Sequence, residues 1–121
     1  MPKRYSWLLL LSLVTGCAYD NAEDIAKPVQ VCVVPTAVSY TLDVSPILQR
    51  NCRSCHNAVL LTSGVNLDDV TEVQARAKSG LLMGVVTHAP GFKKMPDGGG
   101  KLSDCDIALL QRWVTAGAPN N

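Results

Sequence analysis

Apolar and polar positions change rhythm several times along the chain, and each change predicts an element. Residues 7–14 form an apolar run, interrupted only by Ser12, behind Lys3 and Arg4. The run is too short to span a bilayer, and a basic start before a short apolar core is the layout of a cleaved secretory signal. Residues 18–30 are polar, with Asp20, Glu23, Asp24, Lys27 and Pro28, and read as a tether. Residues 29–34 are β-branched and short, which predicts a strand or an extended lead-in. Ser45 and Pro46 then look like an N-cap followed by proline in the first helical turn, with Ile47 and Leu48 opening an apolar face that runs into Cys52. Gly64, Asn66 and Asp68 punctuate a loop. A second helix is expected over about residues 69–79, with Val70, Val73 and Ala77 on one face and Gly80 closing it.

Beyond Gly80 the pattern loosens. Residues 81–86 are an apolar piece whose type the periodicity leaves open. Residues 88–100 hold two prolines and four glycines and predict a loop whose backbone lies close to something. The last helix is sharper. Ser103 stands three residues before Asp106 as a capping box with aspartate in place of glutamate. Ile107, Leu110, Trp113 and Val114 recur at helical spacing until Gly117 and Pro119 stop them. The expected architecture is a small all-α domain.

Chemistry enters at Cys52-Arg53-Ser54-Cys55-His56. Two thiols three residues apart can each form a thioether with one vinyl group of a single haem, and the adjacent histidine then reaches the iron from below. The alternatives are a redox CxxC or half of a zinc site. A zinc site wants a second ligand pair, and the sequence offers no second CxxC and no HxxxH. A thioredoxin-like motif wants a βαβ setting that the pattern does not show. The sixth ligand of such an iron is expected from Met95, which with Pro96 lies in the loop before the last helix. Met95 as a gap filler is the plainer reading, and His88 and Met83 compete for the ligand role.

The leader fits that chemistry, since haem attachment of this kind takes place outside the cytoplasm. It ends in Val14-Thr15-Gly16-Cys17, which resembles a bacterial lipobox. Residues 1–16 are therefore expected to be removed, residues 17–31 to form a lipidated N-terminus and tether, and residues 32–121 to form the domain. Ala18 after the cysteine favours the outer membrane by resemblance to enterobacterial sorting. With Cys17 on lipid and two cysteines on haem, Cys32 and Cys105 remain as an even pair, read as a disulfide in an oxidising compartment with two separate buried thiols as the alternative.

Composition narrows the picture further. The formal charge is +1 and falls slightly below zero once Lys3 and Arg4 leave, with no basic patch of the kind that tracks phosphates, so nucleic acid is not an expected partner. One Phe, two Trp and three Tyr make a thin aromatic core for one small domain, and a buried porphyrin would supply the missing apolar centre.

Helix, CxxCH, middle helix, Met-Pro loop and aromatic C-terminal helix together resemble the class I c-type cytochromes. Val44-Ser45-Pro46-Ile47-Leu48, Gly64-Val65-Asn66-Leu67, Lys94-Met95-Pro96 and Lys101-Leu102-Ser103-Asp104-Cys105 look like small monohaem cytochrome c lipoproteins of Bacteroidetes-type bacteria. The resemblance covers about residues 32–119. It implies a helical domain wrapped around one covalent haem c, with Cys52 and Cys55 as thioether sites, His56 and Met95 as axial ligands, and Cys32 paired with Cys105. It departs from the family in its aromatics, because of the usual pair between the first and last helices only Trp113 is evident, with Ile47 and Leu48 on the first helix. The function implied is one-electron transfer between redox proteins, with no small-molecule substrate, a lipid anchor on Cys17, and docking helped by Arg53, Lys93 and Lys94. The alternative is a haem sensor or peroxidase-like enzyme with an open sixth site.

Overall fold

The structure, a computed structural model, describes residues 31–121. The leader, Cys17 and the tether up to residue 30 lie outside the described residues. Within them every regular element is helical and no strand occurs. Residues 31–34 carry no regular structure, so of the two forms expected there the extended lead-in is the one seen as far as the residues are described.

The first helical stretch begins earlier than Ser45. A π-helical turn, Tyr40–Val44, runs directly into α1, Ser45–Asn51. Its cap is Ser39, whose hydroxyl accepts from Leu42 N–H while its own N–H donates to the Asp43 carboxylate at 2.8 Å. This is a reciprocal cap stretched by one residue, because the wider π turn brings position i+4 to where i+3 would stand. Ser45 is thereby relieved of the capping role the sequence suggested, and Pro46 still falls in the first turn of α1. Cys52 ends that helix.

The middle of the chain follows expectation more closely. α2, Val70–Lys78, is capped by Asp69, whose side chain accepts from Thr71 N–H, and is followed by Gly80 in left-handed backbone (φ 80°). Residues Leu81–Val86 resolve into a short helix, α3. α4, Asp104–Thr115, starts at Ser103, whose hydroxyl accepts from Asp106 N–H at 3.0 Å.

These helices close on one core built from Val44, Ile47, Leu48, Val73, Leu110 and Trp113, all essentially solvent-free. α2 packs on α3, α3 on α4, and α4 on the π turn. That last contact corrects the aromatic deficit noted above. Tyr40 stacks on Trp113 with ring centroids 5.6 Å apart and planes tilted by 36°, so an aromatic pair is present with its first member in the π turn, seven residues before Ile47. The tilted geometry suits two ring quadrupoles. Trp113 Nε1–H donates to the Pro119 carbonyl, and Asn121 accepts from Tyr40 N–H and Thr41 N–H. Cys32 and Cys105 form a disulfide with Cα atoms 5.4 Å apart, joining the lead-in to the start of α4.

Candidate functional site

The end of α1 delivers the CxxCH run as a tight turn. Cys52 N–H and Arg53 N–H both donate to the Leu48 carbonyl, and Cys55 N–H and His56 N–H fold back onto the Cys52 carbonyl. The two cysteines and the histidine are thus held on one compact loop of backbone. Arg53 anchors it. Its guanidinium donates to the Leu67 carbonyl, the Ser45 hydroxyl and the Tyr40 hydroxyl, lies 3.4 Å from Asp68, and is only 13% exposed. Arg53 is therefore a structural clasp, and its expected place on a docking surface does not hold; Lys93 remains exposed but is paired with Asp97.

His56 is oriented by a backbone group. Its Nδ1 lies 3.0 Å from the Thr62 carbonyl. A carbonyl can only accept, so Nδ1 carries the hydrogen and Nε2 is left as the lone-pair nitrogen, the tautomer a metal ligand needs. The loop that supplies Thr62 is itself pinned, with Leu67 N–H donating to the His56 carbonyl and the Asn57 side chain accepting from Val59 and Leu60 N–H. Its side chains Val59, Leu60 and Leu61 are exposed.

A cavity of about 430 Å³ opens beside this turn. That size falls in the range of ~300–1,000 Å³ common for cofactor and small-molecule sites. Cys52, Cys55 and His56 line it from the α1 side, Leu82, Val85 and Val86 from α3, Val65 and Leu67 from the intervening loop, and Met95 with Pro96 from the loop before α4. Met95 is held there by its N–H, which donates to the Val85 carbonyl at 3.1 Å. Neither His88 nor Met83 lines the cavity. Met83 instead packs on the core, and the His88 ring is engaged with the Met95 carbonyl. Of the three residues that competed for the sixth position, the structure brings only Met95 to the same space as the CxxCH turn.

The two thiols differ. Cys55 is exposed, whereas burial pushes the Cys52 thiol up to about 11, with the Arg53 charge pulling the other way. A redox CxxC works through a thiol whose ionisation is made easier, so the Cys52 surroundings suit an uncharged thiol in an apolar wall. Among the described residues no three His, Cys, Asp or Glu side chains converge, and a structural zinc site would need four. Cys52, Cys55, His56 and Met95 line one largely apolar space and could meet what a haem asks for, two thiols and two axial ligands.

Tyr40 and Thr62 were not evident as site-supporting residues in the sequence. Tyr40 carried a readable signal in the Ser39 and Asp43 pair, one residue wider than a capping box. Thr62 acts through its carbonyl, which every residue type shares, so no side chain could announce it. Comparison with family models, with curated proteins and with solved structures finds no match to this chain.

Proposed function

We propose that this protein carries single electrons through one covalently attached haem c, held by Cys52 and Cys55 as thioethers and by His56 and Met95 as axial ligands. The observation that carries the reading is the His56 tautomer: the Thr62 carbonyl fixes the hydrogen on Nδ1 and leaves Nε2 as a donor on a turn that also presents both thiols to the Met95 cavity. When bound, haem supplies an iron that changes by one electron between ferric and ferrous states.

The residues of the chain do the rest. The Nδ1–H to Thr62 bond keeps the imidazole from rotating and raises its basicity toward a metal. Leu67, Leu82, Val85 and Val86 keep water away, which limits the reorganisation that accompanies each electron. The Met95 thioether, as a ligand to such an iron, would favour the ferrous over the ferric state and would leave no open site for a substrate. Lipidation at Cys17 would keep the domain at the membrane surface of the cell envelope, and redox proteins would dock weakly near the haem edge.

The purified protein should hold its haem through acid acetone and on denaturing gels, and the Cys52→Ala, Cys55→Ala double variant should not. Its ferric spectrum should show the weak red-end band of methionine–iron charge transfer. Met95→Ala should abolish that band, lower the potential and open the iron to added ligands, while Met83→Ala leaves all three unchanged. Haem that washes out of the wild type, or ferrous protein that binds carbon monoxide readily, would overturn the electron-carrier reading.

A further inference from the structure

Among the described residues three helices end on a residue in left-handed backbone, and they do not end alike. α2 closes on Gly80 (φ 80°) and α4 on Gly117 (φ 92°), but α3 closes on His88 (φ 56°). The turn after α3 is a full Schellman closure, with His88 N–H donating to the Val85 carbonyl at 3.4 Å and Ala89 N–H to the Gly84 carbonyl at 3.0 Å. Glycine is the favoured occupant of that position because it has no Cβ to crowd the backbone. Ending the helix does not require a histidine, so the reason for one lies in its ring.

The ring reaches the loop that carries Met95. His88 Nε2 lies 3.0 Å from the Met95 carbonyl, and since a carbonyl only accepts, Nε2 carries the hydrogen and donates it. The Met95 N–H is bound to Val85 of the same helix. Both polar groups of the Met95 backbone are therefore tied to the end of α3, one by a helical carbonyl and one by the residue that closes the helix. Phe92, on the segment between His88 and Met95, rests its ring so close to Gly84 that a Cβ there would meet it at 2.5 Å.

We infer that His88 is a positioning residue that latches the Met95 main chain to the end of α3, so that the Met95 sulfur meets the cavity in one arrangement. This rests on the reading of Met95 as an axial ligand. His88 does not itself line the cavity, and it acts on the iron only through Met95.

The deciding variant is His88→Gly in the holoprotein, because it removes the ring and relieves the backbone in one change. Its thermal midpoint should stay the same or rise, while the methionine charge-transfer band weakens and ferric iron binds imidazole roughly fivefold more tightly, the equivalent of one net hydrogen bond. His88→Ala should loosen the ligand in the same way, and His88→Gln, which keeps a donor on a side chain of similar reach, should restore the band. Wild-type imidazole affinity and band in both His88→Gly and His88→Ala overturn the latch and leave Met95 as ligand. A wild type without the band, converted to high spin by His88→Gly, makes His88 the ligand and overturns both readings. Should His88→Gly fail to retain haem, ring ¹⁵N shifts of the wild type decide: a hydrogen on Nε2 supports the latch and a hydrogen on Nδ1 overturns it.

Discussion

At the scale of single residues, Arg53 shows how a side chain inside a motif can serve the fold around it. It occupies a variable position of the CxxCH run, and its charge alone suggested a surface role. Its three carbonyl and hydroxyl acceptors come from the π turn, from α1 and from the loop at Leu67, segments that only the folded chain brings together. Removing the guanidinium leaves those groups half-satisfied near the core, so Arg53→Ala should lower stability by about 2–4 kcal/mol in chemical denaturation. Arg53→Lys should recover little of this, since an ammonium cannot reach three acceptors from one planar fork. A Lys variant as stable as wild type would show that charge, and not the fork, is what the site uses. The motif stood out in the sequence because the proposed thioether and axial ligation would fix residue type and spacing. Their supports were not, because Thr62 and Leu67 contribute backbone carbonyls.

Elements were legible where their ends carry side-chain signals. Asp69, Ser103, Gly80 and Gly117 mark α2 and α4 in the sequence, and those helices stand where expected. α3 had no such marks. Its start is a glycine and its end a histidine, and its six residues are too few for periodicity to separate helix from strand. The π turn was hidden for a different reason, since its cap pairs Ser39 with Asp43 at a spacing outside the usual box. α3 also contains a close fit, Gly84 beneath the Phe92 ring. Gly84→Ala gains about 1 kcal/mol of helix propensity but forces the ring aside, at a cost of about 1–3 kcal/mol. It should destabilise the wild type and stabilise a Phe92→Ala background. A double-mutant cycle reads this directly, and additive effects would mean that the ring does not rest on Gly84.

At the scale of the whole described domain, all-α character was legible from the caps and stripes, and the closure of the fold was not. Tyr40 on Trp113 and Asn121 on Tyr40 and Thr41 join positions more than seventy residues apart, and no local pattern encodes such distances. The Cys32–Cys105 pairing could be read by count, and it encloses every residue of the candidate site within a separation of 73 residues. In the chain-entropy account a loop of that length is worth about 4 kcal/mol, so the Cys32→Ala, Cys105→Ala variant should lose that much stability while its haem spectrum is unchanged. A changed spectrum would mean that the bond shapes the site as well as enclosing it. The same bond sets a problem of timing. Of these four thiols, a chain threaded N-terminus first through a membrane shows Cys32 earliest, then Cys52 and Cys55, and Cys105 last. Of the single disulfides that four cysteines can form, only Cys32–Cys105 spares both CxxC thiols, so an oxidant working in order of arrival is offered the wrong partners first. On the proposed reading, export would favour cells in which reduction of mispaired chains precedes haem loading, and a chain without Cys32 and Cys105 should load haem more completely where that repair is missing, though it is the weaker fold.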